Sequence, residues 1–125
     1  MKKIVTSEQA PAAIGPYSQG VIHNNTLYTS GQLPIDPTTG ELVEGDIAKQ
    51  THQVMKNLSF IVEEAGGKME NMLKATVLLT DLGNFTTVNE VYATYFPTNP
   101  PARICYQVVA LPKGAQVEID AICAL

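Results

Sequence analysis

The pattern of apolar and polar positions predicts short strands in the first third of the chain. The run KKIVT has the composition of an edge strand. The segment GVIHNNTLYTSGQ then places apolar runs on both sides of Asn24 and Asn25. Asparagine tolerates the left-handed backbone of a tight turn, so this segment predicts a β-hairpin. The loop LPIDPTTGELV follows, because Pro34, Pro37 and Gly40 interrupt regular structure.

Two later segments have the apolar spacing of amphipathic helices. Asp46 is the predicted N-cap of a helix that starts at Ile47 and stops at Gly66 and Gly67. The second helix starts near Asn84 and ends before Pro97. The side chains expected to face the core are Ile47, Val54, Leu58, Ile61, Val62 and Ala65 in the first helix and Phe85, Val88, Val91, Tyr92 and Tyr95 in the second.

Three further apolar runs predict strands. LKATVLLTDL is typical of a buried central strand, because it is rich in aliphatic and β-branched residues. Ala102 to Val109 and Val117 to Leu125 predict the last two strands, joined across ALPKGAQ. The order of elements favours an α+β fold, in which a mixed sheet carries two helices on one face.

Composition indicates one globular domain that assembles with copies of itself. The chain has 125 residues and 13.5 kDa, so residues 1–125 are predicted to form a single domain. Only 16% of the residues are charged, whereas 45% are hydrophobic. Small monomeric domains usually carry more surface charge, and we therefore expect a homo-oligomer.

Charge and cysteine content exclude several classes of protein. A net charge of −4 and a pI near 5.0 argue against a nucleic-acid partner, which requires clustered basic residues. No apolar run is long enough for a signal peptide or a membrane span, so we expect a soluble, cytoplasmic protein with no membrane partner. Cys105 and Cys123 lie in apolar runs as free thiols, and the spacing of cysteine and histidine predicts no metal site.

Arg103 is the only arginine, and it follows Pro100, Pro101 and Ala102. Side chains alternate between the two faces of a strand, which puts Arg103 and Cys105 on one face. The opposite face, with Ile104, Tyr106 and Val108, is the predicted core face. If the last two strands are antiparallel neighbours, Arg103, Cys105 and Glu118 converge on the face that the helices leave open.

This combination predicts a site for a small carboxylate, because the guanidinium of Arg103 can hold a carboxylate through two parallel hydrogen bonds. Glu118 lies among aliphatic residues, which predicts a raised pKa useful for acid or base catalysis. A structural salt bridge between Arg103 and Glu118 is an equally open interpretation. Cys105 is more simply an ordinary thiol, since no base is predicted beside it. Tyr17 in IGPYSQG and Ser30 in SGQLP belong either to a pocket or to plain turns.

Four collinear motifs resemble the Rid family of reactive intermediate deaminases, formerly the YjgF group, and its RidA subgroup most closely. They are APAAIGPYSQG, TSGQLPIDPTTGE, TDLGNFTTVNEVY and PPARICYQVVALPKGAQVEIDAI, and together they cover essentially the whole chain. The resemblance implies a chorismate-mutase-like α+β fold with a mixed sheet of about six strands. It also implies a homotrimer whose pockets lie between neighbouring subunits.

The resemblance further assigns roles to individual residues. It implies that Arg103 clamps the substrate carboxylate and that Glu118 positions or activates the attacking water. Cys105 lines the pocket, and its backbone carbonyl helps to hold that water. The other implied substrate-binding positions are Tyr17, Ser30, Gly31 and Asn89. Ile104 and Val109 depart from the residues that are usual in the family.

The activity implied is the hydrolysis of 2-aminoacrylate, 2-iminopropanoate and 2-iminobutanoate to 2-keto acids and ammonia, with no cofactor. The partners implied are small 2-imino acids. The alternative is a non-catalytic trimer that binds small carboxylates and has a regulatory role. A third reading, an RNA-linked regulator of translation, conflicts with the acidic charge.

Overall fold

The computed structural model describes residues 1–125 and contains six strands and two α-helices. The bounds are β1 Lys3–Val5, β2 Gly20–His23, β3 Thr26–Thr29, α1 Ile47–Glu64, β4 Met72–Leu79, α2 Phe85–Ala93, β5 Ala102–Gln107 and β6 Val117–Ala124. Three short 3-10 turns lie at Met69–Asn71, Leu82–Asn84 and Pro112–Gly114.

The strands form one mixed sheet in the order β1-β2-β3-β6-β4-β5. Every neighbouring pair is antiparallel except β4 and β5, which are parallel and connected through α2. The predicted α+β class, the mixed sheet and the edge position of the first strand are confirmed.

Local sequence signals explain the turns and helix ends. Asn24 and Asn25 both have positive φ angles, 49° and 57°, as the predicted β2–β3 hairpin requires. At the start of α1, the side chain of Asp46 accepts a hydrogen bond of 3.0 Å from the backbone N–H of Lys49. Gly66 follows the end of α1 with φ 86°. These predictions from the sequence are confirmed.

The core lies between the sheet and the two helices. Val54, Met55 and Leu58 of α1 and Val88 of α2 pack on the apolar side chains of β4 and β6. Phe85 was predicted to face this core and is instead 37% exposed, because it lies at the first turn of α2, beyond the packed part of the helix. No helix has the length and apolar character that crossing a bilayer requires.

β4 is an interior strand, but only one of its faces is buried. Ala75, Val77 and Leu79 face the helices, whereas Leu73 and Lys74 are exposed. An irregularity between Met72 and Lys74 shifts the register with β6. The prediction of a buried central strand is therefore confirmed for its interior position and wrong for the burial of one face.

No helix covers the second face of the sheet, which we call the open face. Ile104 and Tyr106 lie on it with exposed fractions of 45% and 50%, so their prediction as core residues is wrong. The strands alternate as expected, but α2 packs over the face of β5 that carries Arg103 and Cys105. The open face carries Tyr28, Lys74, Thr76, Leu78, Ile104, Tyr106, Glu118, Asp120 and Ile122.

Candidate functional site

A cleft of about 470 Å³ opens beside the start of β6, and we call it the glutamate cleft. Its polar side chains include Glu118 and Ser30, and Tyr17 forms part of one wall. The other walls come from the loop before β2, the loop after β3 and the turn before β6, and they include both apolar and polar residues. The lining residues are Pro11, Ala12, Ile14, Tyr17, Gln19, Ser30, Gly31, Gln32, Leu33, Ile35, Pro112, Lys113 and Glu118.

Gly31 lies directly against the carboxylate of Glu118. A Cβ atom at position 31 would be 2.5 Å from Oε2 and 2.9 Å from Cδ of Glu118, closer than real Cβ contacts come. The segment is fixed by backbone hydrogen bonds, from Ser30 N–H to the Gln19 carbonyl at 2.9 Å and from Gln32 N–H to the Ile119 carbonyl at 2.8 Å. Because the φ angle of Gly31 is not positive, the constraint here is one of space: any side chain at position 31 would displace the Glu118 carboxylate.

The loop that carries Tyr17 is tied down by a buried glutamine that sequence reasoning missed. Gln19 is 3% exposed, and its side-chain amide donates to the carbonyls of Ser7 and Pro11 at 3.1 and 2.8 Å. Its side-chain oxygen accepts from the N–H of Ser7 at 2.6 Å. Tyr17 remains half exposed, and its hydroxyl accepts a long hydrogen bond of 3.4 Å from the N–H of Ile14.

Burial raises the pKa of the Glu118 carboxyl above its ordinary value, and the nearby negative charge of Asp120 raises this pKa further. Both acids lie on the open face, two residues apart on β6. The direction of this shift agrees with the sequence prediction. A carboxylate with a raised pKa is a stronger base at neutral pH than an ordinary glutamate.

A second cleft, of about 390 Å³, lies between α2 and the start of β5, and we call it the arginine cleft. Arg103 donates a hydrogen bond from Nη1 to Oδ1 of Asn89 at 2.7 Å. The guanidinium carbon also lies 5.5 Å from the ring centre of Phe85 and 5.0 Å from that of Tyr92. The cleft is lined by Asn89, Tyr92, Ala93, Phe96, Pro100, Pro101 and Arg103.

The structure places Arg103 and Glu118 on opposite faces of the sheet. Arg103 pairs with Ala75 of β4 on the helix-covered face, whereas Glu118 pairs with Leu78 on the open face. β4 separates the two strands, so the last two strands are not neighbours. The predicted convergence of Arg103, Cys105 and Glu118 within one chain is therefore wrong, and so is the salt bridge between Arg103 and Glu118.

Cys105 lines neither cleft. Its side chain is half buried against the core, and this burial raises the pKa of the thiol, although the Arg103 charge acts in the opposite direction. A raised pKa leaves less of the thiol in the reactive thiolate form at neutral pH. No group of three or more histidine, cysteine or acidic side chains is arranged to hold a metal ion.

The two clefts divide the predicted site residues into two sets. The glutamate cleft brings together Tyr17, Ser30, Gly31 and Glu118, and the arginine cleft brings together Asn89 and Arg103. The first set offers a base beside an apolar wall, and the second offers a cation suited to a carboxylate. Lys113 also lines the glutamate cleft and was not predicted as a site residue. The sequence signal that could have found it is the Pro-Lys-Gly turn, in which Lys113 adopts φ 60°.

Comparisons with known proteins agree on one family. Residues 7–125 match the family described as Endoribonuclease L-PSP. The chain is 51% identical over 122 residues to the 2-iminobutanoate/2-iminopropanoate deaminase of Rattus norvegicus, covering 98% of this chain and 89% of the relative.

Solved structures match the fold along its whole length. YyfA from Yersinia pestis, described as a protein of unknown function of the conserved Rid family, superposes with a TM-score of 0.97 and 48% identity over 100% of both chains. Escherichia coli TdcF, solved with bound serine, superposes with a TM-score of 0.94 and 42% identity over 98% of both chains. The six-stranded sheet, the two helices and these matches together lead to one conclusion: the chain belongs to the Endoribonuclease L-PSP family, also known as the YjgF or Rid family.

Proposed function

We propose that this protein hydrolyses short-chain 2-imino acids and their enamine forms to 2-keto acids and ammonia. The substrates proposed are 2-aminoacrylate, 2-iminopropanoate and 2-iminobutanoate, reactive intermediates whose removal limits metabolite damage. The observation that carries the proposal is the guanidinium of Arg103, whose hydrogen-bond partner in the chain is the neutral amide of Asn89. Its remaining donors can bind a substrate carboxylate. The name of the rat relative supports the same reaction.

We also propose that the active site forms between subunits of a homotrimer with a chorismate-mutase-like fold. Arg103 and Glu118 lie on opposite faces of the sheet, so one chain cannot place both groups on one small substrate. The open face carries the exposed side chains of Tyr28, Ile104 and Tyr106, which association would bury. In this arrangement the arginine cleft of one subunit faces the glutamate cleft of its neighbour.

The proposed reaction proceeds by addition of water and loss of ammonia. Arg103 and Asn89 hold the substrate carboxylate, and the imine carbon faces a water molecule held by Glu118 and the backbone carbonyl of Cys105. The water oxygen bonds to the imine carbon while Glu118 takes a proton from this water, and the imine nitrogen receives that proton. The resulting carbinolamine transfers its hydroxyl proton to nitrogen through Glu118. The C–N bond then breaks, which releases ammonia and the 2-keto acid.

A coupled assay tests the proposal. A PLP-dependent threonine dehydratase generates 2-iminobutanoate, and formation of the keto acid and ammonia is followed with and without this protein. We expect the native protein to accelerate the hydrolysis and Arg103→Ala to fail. No acceleration by a correctly assembled protein would contradict the proposed function.

The bound serine in TdcF favours a second candidate, a non-catalytic trimer that senses small carboxylates. A rise in Tm with 2-oxobutanoate, without any turnover of imine, would support this candidate. The family description also names an endoribonuclease. The net charge of −4 argues against RNA as a substrate, because binding a phosphate backbone needs a basic surface.

A further inference from the structure

The guanidinium of Arg103 is fixed by contacts that do not occupy most of its hydrogen-bond donors. One N–H group is bonded to Asn89 at 2.7 Å, and the rings of Phe85 and Tyr92 lie 5.5 and 5.0 Å from its central carbon. An acidic neighbour would bind the fork of parallel N–H groups and compete with a ligand. The aromatic rings attract the positive charge through their π faces and leave these N–H groups free.

All three of these neighbours come from one face of α2. Phe85, Asn89 and Tyr92 are spaced at i, i+4 and i+7, which aligns their side chains along a single stripe of the helix. Because α2 packs over β5, this stripe lies directly against Arg103. One short helix thus supplies a hydrogen bond and two ring contacts to the same cation.

We propose that Phe85 and Tyr92 are positioning residues that set the affinity of the site for its carboxylate by holding the guanidinium of Arg103 in place. The identity of the substrate rests on the proposed function, but the carboxylate-binding role of these rings does not. An arginine without them would sample many rotamers, and binding would then cost additional side-chain entropy. The rings therefore act through Arg103 and not by contact with the reacting atoms.

The two rings differ in their surroundings, and this makes Phe85 the one to test. The hydroxyl of Tyr92 is buried and has no hydrogen-bond partner, so the contribution of this side chain comes from its ring. Tyr92 also packs in the main core beside Phe96, and its removal would disturb folding. Phe85 is 37% exposed and lies outside the core cluster, so it can be replaced with little effect on stability.

The test compares Phe85→Leu, which keeps apolar volume and removes the ring, with Phe85→Tyr, which keeps the ring. Phe60→Leu is the matched control, because Phe60 is half buried on α1 against the other apolar cluster, away from Arg103. In the imine assay, Phe85→Leu should raise KM about two- to fivefold with kcat nearly unchanged, as expected for a partly exposed cation–π contact. Phe85→Tyr should have the KM of the native protein, and Phe60→Leu should have the native KM and kcat.

A KM for Phe85→Leu equal to that of the native protein would overturn the proposal. A lower kcat with an unchanged KM would overturn it as well, because that result indicates only a smaller fraction of folded protein. Titration calorimetry with 2-oxobutanoate separates this proposal from the proposed function. If the native protein has no deaminase activity, the aromatic role still requires a weaker Kd for 2-oxobutanoate in Phe85→Leu than in Phe60→Leu. Equal Kd values in these two variants would overturn it.

Discussion

At the scale of single residues, the candidate site depends on close contacts that leave little freedom to Glu118 and Arg103. The carboxylate of Glu118 fills the space where any other residue at position 31 would place its Cβ atom. The guanidinium of Arg103 is bonded to Asn89, and its central carbon lies within 5.5 Å of the ring centres of Phe85 and Tyr92. Small changes at these contacts should therefore affect activity more than stability.

Gly31→Ala should abolish most of the activity and leave the fold intact. The new methyl group would displace the Glu118 carboxylate, which is the end of a flexible side chain and can move away. Gly66→Ala is the matched control, because Gly66 has open space around its Cα but φ 86°. It should lower the free energy of unfolding by about 1 kcal/mol and retain activity. Activity assays and thermal unfolding of both variants test this difference. Equal losses of activity in Gly31→Ala and Gly66→Ala would contradict it.

Arg103→Lys should not rescue the activity lost in Arg103→Ala. Lysine keeps the positive charge but lacks the planar fork that binds both carboxylate oxygens. We expect kcat/KM for 2-iminobutanoate to fall by about 10² or more, a typical cost of losing a fixed donor. Circular dichroism and the mass in solution serve as controls for folding. Turnover close to that of the native protein would exclude a bidentate clamp.

At the scale of elements, β6 determines the acid–base properties of the site. Its alternation puts Glu118 and Asp120 on the open face, while Val117, Ile119 and Ala121 fill the core. Asp120 thus raises the pKa of Glu118 in addition to the effect of burial.

Asp120→Asn should move the acidic limb of the pH profile of kcat/KM to lower pH. Removal of this negative charge stabilises the ionised form of Glu118 and lowers its pKa, so the base stays active in more acidic solution. Glu70→Gln, an equal change of charge at an exposed position on the turn before β4, should leave the limb in place. A shift to higher pH in Asp120→Asn would contradict this account of Glu118.

Local signals predicted most elements correctly, and β5 explains where they failed. The asparagine turn, the Asp46 cap and the glycines after α1 each act within a few residues, so the sequence specifies them directly. In β5, the more polar face, with Arg103, Cys105 and Gln107, is the one that lies toward α2, because strand order and helix placement decide which face is covered and alternation alone does not. The apolar Ile104 and Tyr106 were assigned to the core, although they lie on the open face.

At the scale of the whole molecule, the candidate site residues of one chain are divided between the two faces of the sheet. Only Gly31 and Asn89 needed the family resemblance, whereas the residue pattern alone already made Glu118 a candidate and left Tyr17 and Ser30 open between a pocket and plain turns. The division of these residues between two clefts follows from strand order. The pairing of β4 with both β5 and β6 is a long-range contact that no local pattern encodes. The pairing of the two clefts is an expectation that requires an experiment on the assembly.

Mixed oligomers provide that experiment. Arg103→Ala and Glu118→Gln should each be inactive, but a mixture that is dissociated and reassembled in equal amounts should recover about a quarter of the native activity. In a symmetric trimer, each site takes Arg103 from one subunit and Glu118 from its neighbour. Each of these residues is intact in half of the subunits, so random assembly makes about a quarter of the sites complete. Separate reassembly of each variant is the control. No recovery in a mixture shown to contain hybrid oligomers would place both residues on one chain.

In the proposed trimer, the separation of Arg103 and Glu118 on two faces of the sheet also makes the amount of protein a determinant of its activity. A shared site exists only while subunits are associated, so dilution below the dissociation constant of the assembly removes function without unfolding or inhibiting any chain. For a trimer at the dilute limit, total turnover would then rise as the third power of the chain concentration, and turnover per chain as its square. A cell that makes half as much of this protein would in that regime lose well over half of its catalytic capacity.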